Sequence, residues 1–432
     1  MNFELMPGGN KYRFAVNDDN LLYCAELPRL KAVEKLELEI RRSLEDPIAS
    51  PPLAELAKPG MKVAVVVDDG TRPTPQTVLL PVILEHLNKL GIGNDDIIVV
   101  IGLGTHRDMT QAEINHRFGA AVAEQVKIVN HDYQNEDGLV NLGVTANGTV
   151  VEVNRLVYEA DLRILAGTVV PHCYAGWGGG AKMIQPGVCS ERTTEGTHVL
   201  AGTYPDPLAL PGRVTNPIRL EIESVAEKLG PIFIINTVQD IEGRLMGCFA
   251  GHYVAAHREA VKLAEQIFVV SIPEPADIVV CGSYPCDNDY WQGFKAFSYA
   301  RQGVKEGGVM VYAIDGSGGL SGDAPYHTST LMDWGYRETE DILSALEKGL
   351  VQDRIGAAMC VAHSRLRKGI RVISVSTGMS GSDQRALGFE PVPSLAEALL
   401  KAYRIMGDQA KVGVVPIGGE TIVRVGKNQK TK

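Results

Sequence analysis

The sequence predicts an α/β protein of two domains, each built on a mainly parallel sheet. Three observations carry this reading. Short apolar runs ending in polar turns alternate with helix-period segments along the chain, the mark of strand–helix–strand units. A proline-bearing break near residues 266–276, IFVVSIPEPAD, separates two such series. The 432 residues also exceed one ordinary domain. The expected division is 1–270 and 271–432.

The elements follow in order. MKVAVVVDDG (61–70) reads as a buried strand ending in two aspartates. TVLLPVILEHLNKLG (77–91) has helical spacing and closes on Gly91, a C-cap residue. DDIIVVIGLGTHR (95–107) is a strand, a glycine turn and a polar tip, and VKIVNHD (126–132) is a third strand. LGVTANGTVVEVNR (142–155) carries Asn-Gly between alternating runs, a hairpin signal. ADLRILAGTVVPH (160–172) is a further strand with polar groups at its carboxyl end. In the second series, DIVVCG (277–282), GVMVYAIDG (308–316), IRVISVSTG (370–378) and KVGVVPIGG (411–419) read as strands. Helices are expected around 338–350 and 395–406. DGSGGLSGDAPYH (315–327) reads as a mobile loop, and ETIVRV (420–425) as a last strand that can return to the first domain.

Composition narrows the function. A net charge of −10 argues against a nucleic-acid or anionic-membrane partner. The seven cysteines form no CxxC, so neither a zinc ribbon nor a disulfide framework is indicated. No apolar window is long enough for a membrane span and the N-terminus lacks a signal-peptide core, so a cytoplasmic location is expected.

Ligands of parallel α/β sheets bind beyond the carboxyl ends of the strands, and Asp69, Arg72, His106 and His172 all follow such ends. In DDGTRPTP (68–75) Asp69 and Pro73 also suit a helix start, but that leaves Arg72, whose fork fits a carboxylate or phosphate. His106 in GLGTHR (102–107) is either a solvated loop residue or a proton-transfer group. PHCYAGWGGGAKMIQPGV (171–188) joins His172 and Lys182 to a glycine run. It fails the P-loop template because Met183 follows the lysine, which disfavours a nucleotide-dependent transferase. Lys182 is open to phosphate binding, to snorkelling or to a covalent role. His198 in ERTTEGTHVL (191–200) has no second protein ligand near it in sequence, so it is a helix-surface histidine unless a cofactor supplies the other donors. In YWQGFKAF (290–297) Gln292 and Lys295 share a helix face, and the aromatics fit core. The other seven histidines show no constellation, and Cys173 and Cys189 read as small packing residues.

DDGTRPTP, GLGTHR, PHCYAGWGGGAK, TxxGTH and QGFK, in this order and over almost the whole chain, resemble the lactate racemase family, the nickel-pincer-nucleotide enzymes. The resemblance implies an active site in the cleft between the two domains. It implies a pyridinium-3-thioamide-5-thiocarboxylic acid mononucleotide carrying nickel, covalently held at Lys182, with His198 as the protein's nickel ligand. Trp177, Gly178, Gly179 and Gly180 then lie against the cofactor. His106 and His172 become the acid/base pair for a 2-hydroxy acid inverted at C2 through a 2-keto acid. Arg72, Gln292 and Lys295 bind the substrate and Asp69 orients a basic group. Cofactor-synthesis and nickel-insertion enzymes become maturation partners. Two departures from the family pattern, Ala181 where a basic residue is expected and Trp177-Gly178 where Phe-Ser is expected, bear on the substrate. A cofactor-free binding protein for hydroxy acids or nucleotides is the alternative.

Overall fold

The structure is a computed structural model that describes residues 1–426. Six strands form the first sheet, in the order Leu245–His252, Phe233–Gln239, Leu162–Thr168, Val63–Asp68, Ile97–Gly102, Lys127–Asn130. All neighbours are parallel except the first two strands, which form an antiparallel pair. Every residue of Val63–Asp68 and Leu162–Thr168 is buried. Helices cover both faces, which is why these strands read as continuous apolar runs rather than alternating ones.

The second sheet is wholly parallel, in the order Glu390–Pro391, Arg371–Ser376, Val304–Ile314, Ala276–Gly282, Val412–Val415, Leu21–Cys24. Its last member comes from the N-terminal end of the chain, which sequence order places in the first series. Ile422–Val425 returns to pair in parallel with Val269–Ile272, the segment of the expected break. The 142–155 hairpin and the helices Thr339–Glu347 and Leu395–Met406 form where the sequence indicates.

Two helices tie the units together. Glu191–Thr203 crosses Arg354–Arg367 so closely that a Cβ on Gly202 would lie 2.2 Å from the Ala358 carbonyl oxygen. Segment 315–327, expected to be a mobile loop, is laced down instead. The amides of Gly316 and Gly318 donate to the Asp287 and Asn288 carbonyls, Tyr290 and Trp291 donate to Gly319 and Leu320, and Leu320, Ser321 and His327 are buried. Its glycines supply backbone for those bonds. Among the described residues no helix is long and apolar enough to cross a membrane.

Candidate active site

The carboxyl ends of three central strands of the first sheet open onto one cavity, and the helix Tyr290–Ala300 closes it from the second unit. Its volume is about 130 Å³. Arg72, His106, His172, Lys182, His198 and Lys295 all line it, with Asp69, Gly178, Gly179 and Gln292.

Strand Val63–Asp68 ends in an anchored turn. Asp68 accepts from Arg117 (2.6 Å), from Gln76 (3.0 Å) and from the Thr74 hydroxyl, which fixes the turn from below. Asp69 is then free to face the site. One carboxylate oxygen takes the Thr71 amide and hydroxyl, and the other lies 2.7 Å from His106 Nδ1. Burial alone would raise the Asp69 pKa; the imidazole beside it more than reverses this and holds the carboxyl well below its usual range. The His106 Nδ1–H therefore donates to a carboxylate, which leaves a lone pair on Nε2. Arg72 bonds only to Thr71 (3.2 Å to its carbonyl, 3.0 Å to its hydroxyl) and forms no ion pair with a described residue, so its fork is available.

His172 is held differently. It ends the two-residue strand Pro171–His172, which pairs with Gly176–Trp177. Its Nδ1 accepts the backbone N–H of Tyr174 and of Ala175, each at 3.2 Å. Its neutral form thus carries the proton on Nε2. Burial first, and then any positive charge on the neighbouring Lys182, presses its pKa well below the ordinary histidine value, so it is neutral at pH 7.

Lys182 makes no ion pair with a described carboxylate. Burial first, then the positive charges of Arg72 and Arg219, hold its amine well below the ordinary lysine value. His198 donates from Nδ1 to the carbonyl of Thr194 one turn earlier (2.9 Å), which frees Nε2. Burial lowers its pKa to about 4, so the ring is a neutral, ligand-competent imidazole. On the opposite wall Asp289 caps the helix through the Gln292 amide (2.8 Å), and Lys295 Nζ donates to Gln292 Oε1 (2.5 Å). Burial lowers the Lys295 pKa, and Arg72 adds to that effect. Three basic side chains, Arg72, Lys182 and Lys295, thus converge on one cavity in a chain of net charge −10.

Two of the expected cofactor contacts lie elsewhere. Trp177 is fully buried, donates its indole N–H to the Gly212 carbonyl (3.0 Å), and is not part of the cavity wall. Gly180 is likewise behind the wall. It has φ +57°, and a Cβ there would lie 3.0 Å from the His257 ring, so its missing side chain admits His257. Gly179, at φ +67°, does line the cavity, and its Cβ position abuts Asn236 and Val169. Trp177 and Gly180, expected against the cofactor, instead pack into the protein behind the cavity wall.

Several contributors had no sequence signal. Arg219, 1% exposed, donates to the carbonyls of Ala175, Trp177 and Gly179. His257 donates to the Gly178 carbonyl (2.8 Å), and Asn236 accepts from the Gly180 amide (2.8 Å). Together they set the path of the glycine run from behind. Tyr174 packs edge-on against His198 (5.9 Å) and close to His172 (6.2 Å), and its hydroxyl is buried without a partner. Cys173, read as a packing residue, lines the cavity; burial pushes its thiol up to about 11, so it is a neutral thiol. His327 is not isolated: it pairs with Asp353 (2.9 Å) and stacks on Trp291 (4.2 Å).

The donor set can be tested for a metal. Among the described residues no three His, Cys, Asp or Glu side chains converge on a metal position. The free Nε2 of His198 faces a cavity that also presents an unpaired lysine, and the other two imidazoles of the cavity, His106 and His172, do not join it in a metal-ligating group. That set fits a cofactor that is held by the lysine and brings its own metal donors; it does not fit a metal held by protein alone.

Comparison with known proteins agrees with the geometry. The lactate racemase N-terminal domain model matches residues 8–206 and the C-terminal domain model residues 272–423. The lactate racemase of Thermoanaerobacterium thermosaccharolyticum is 29% identical over 98% of this chain and 99% of its own. That of Lactiplantibacillus plantarum is 28% identical over 89% of this chain and 90% of its own. The lactate racemase apoprotein structure from T. thermosaccharolyticum superposes with a TM-score of 0.87, at 28% identity, covering 98% of this chain and 100% of that one. A Thermotoga maritima protein, 22% identical, shares the fold with a TM-score of 0.72 over 92% of this chain and 100% of its own. The chain belongs to the lactate racemase family and is, with it, an isomerase.

Proposed function

We propose that this isomerase is a racemase or epimerase that inverts the hydroxyl-bearing C2 of a small 2-hydroxy acid through a flat 2-keto acid, using a nickel-pincer nucleotide anchored at Lys182. One observation carries the reading: two differently held histidines, an unpaired guanidinium and a buried lysine converge on one cavity. When bound, the cofactor supplies a reversible hydride acceptor, with His198 Nε2 as the protein's nickel ligand.

The chain's own residues do the rest. Arg72 and Lys295 fix the substrate carboxylate by charge-assisted bonds, and Gln292 holds Lys295 in place. His106 Nε2 takes the hydroxyl proton, and the imidazolium that forms is stabilised by the ionised Asp69 beside Nδ1. His172 presents Nε2–H to an oxygen in the opposite orientation and enters first as a donor. To accept a proton at Nε2 it must surrender its two 3.2 Å backbone contacts. The neutral Lys182 amine is the form that can bond covalently to an acyl-type carbon.

The test is co-expression with cofactor-synthesis and nickel-insertion enzymes, then native mass, nickel content and enantiomer interconversion. A mass increment on the Lys182 peptide, about one nickel per chain and turnover of a 2-hydroxy acid are expected. Full racemase activity in Lys182→Ala would overturn the anchoring role.

A further inference from the structure

Lys182 stands on a short turn that a buried cation pins from behind. The turn, Gly180–Met183, starts from the Gly179 carbonyl, which accepts the Lys182 backbone N–H (3.2 Å). The same oxygen accepts from Arg219 Nη1 (3.3 Å). Arg219 also donates to the carbonyls of Ala175 (3.3 Å) and Trp177. One guanidinium, carried on the helix Pro217–Glu227, thus gathers three backbone oxygens of the segment that leads into the lysine.

Neutral donors could satisfy those carbonyls, and burying an unpaired charge is costly. Yet Arg219 is 1% exposed and forms no ion pair with a described residue. Glu223, one turn further along its helix, is taken by Arg258 in a two-pronged pair (2.7 and 2.8 Å). Arg258 in turn donates to His257 Nδ1 (2.9 Å). Burial brings the Arg219 pKa down to about 10, which leaves it a cation at pH 7. An unneutralised positive charge therefore lies behind the glycine run.

In front of the run the Lys182 amine meets no free carboxylate. The two that line its cavity are engaged, Asp68 by Arg117 and Asp69 by Thr71 and His106. His172 and His198 are neutral imidazoles there, and Cys173 is a neutral thiol. Arg72 and Lys295 bring positive charge from the other walls, but an anion bound in the cavity would screen them. Arg219 is not part of the cavity wall, so no ligand there neutralises it.

Resting on the reading of Lys182 as the cofactor anchor, we infer that Arg219 is a positioning residue for covalent attachment, which fixes the lysine turn and, as a buried cation without a partner, keeps the Lys182 amine unprotonated and nucleophilic. In the attachment step the amine nitrogen bonds to an acyl-type carbon, and the leaving group departs with the displaced N–H proton. The nitrogen that results is amide-like and uncharged, so it never becomes a second cation beside Arg219.

The apoprotein, expressed without cofactor-synthesis enzymes, is labelled with trace acetic anhydride over a range of about pH 5 to 11. Acetylation of the Lys182 peptide is read by mass spectrometry, with solvent-exposed Lys58 as the internal standard. The pH of half-maximal labelling reports protonation of the amine, not the ease with which the reagent enters. It is expected well below that of Lys58. Arg219→Gln is expected to raise it, lowering the free amine at pH 7 about tenfold or more. Arg219→Lys, which keeps the charge, is expected to stay within about threefold of the parent. Arg258→Gln leaves the Arg219–carbonyl bonds in place and frees Glu223 to face Arg219. It is expected to shift the profile in the same direction, and it serves where Arg219→Gln does not fold. A parent profile that coincides with that of Lys58 overturns the inference, and so does an Arg258→Gln profile unmoved from the parent. Equal shifts in Arg219→Lys and Arg219→Gln overturn it too, since geometry and not charge would then be at work. Absence of the Lys182 mass increment after co-expression with the cofactor-synthesis and nickel-insertion enzymes overturns the anchor reading instead, whatever the labelling profile.

Discussion

Asp69→Asn tests the acid/base assignment most sharply. The Asp69 carboxylate is 6% exposed and sits 2.7 Å from His106 Nδ1. The new amide keeps one oxygen for the Thr71 amide and hydroxyl, which turns its NH₂ toward His106. Nδ1 must then accept, the ring proton moves to Nε2, and the lone pair that takes the hydroxyl proton is gone. The charge that stabilises the imidazolium goes with it. A hydrogen bond to a charged group contributes about 1.5–3 kcal/mol, so kcat/KM falls about 10- to 150-fold from that loss alone. The inverted tautomer adds to this. The assay is C2 inversion started from each stereoisomer separately, at matched nickel content. The equilibrium constant fixes the ratio of the two kcat/KM values, so both fall by one factor; any difference between His106 and His172 shows in kcat and KM taken separately. Asp69→Asn within threefold of the parent enzyme in kcat/KM, with nickel retained, refutes the assignment.

Other perturbations have equally definite outcomes. Lys182→Ala removes the covalent mass increment and the nickel yet leaves the melting temperature of the apoprotein unchanged or higher, because a buried amine without a counter-charge is lost. Arg72→Ala raises KM about 10- to 150-fold, from about 1.5–3 kcal/mol of charge-assisted carboxylate binding, with kcat less affected. Trp177→Ala lowers unfolding free energy by about 3–5 kcal/mol in urea titration, since it empties a fully buried site behind the glycine run. Glu420 is 8% exposed, and burial pushes its carboxyl up to about 7 against the pull of Lys295 and Arg72. A folded pKa above the unfolded one means stability present below about pH 4.5 and lost as pH rises toward 7. Glu420→Gln should therefore match the parent near pH 4 and exceed it by roughly 3 kcal/mol near pH 8.

Much of the site was legible one strand at a time. In a parallel sheet the carboxyl ends face the ligand, so the charged residues after 61–68, 95–102 and 160–168 could be assigned to one edge before any distance was known. Arg72, His106 and His172 meet there. Their partners were partly legible too: Asp69 was read as orienting a basic group, and it pairs with His106. Arg219, Asn236 and His257 were not. Each is an ordinary helix or strand residue, and its role exists only because the glycine run passes over it. Trp177, expected from the resemblance to lie against the cofactor, is fully buried and outside the cavity wall.

The sequence by itself determined the alternating architecture, the strand edge that carries the chemistry, and the family to which the order of motifs belongs. The first two follow from periodicity and local turn chemistry, which act over a few residues; the third rests on the resemblance of the motif order to a known family. Only the tertiary structure decided that Leu21–Cys24 joins the second sheet. Only it set Asp69 against His106 across the sheet edge and brought Gln292 and Lys295 of the second unit over the same cavity. Those outcomes depend on which groups distant in sequence come together, as the Asp69 carboxylate does with His106 from 37 residues away. Chain closure sets such distances, and they leave no period in the sequence.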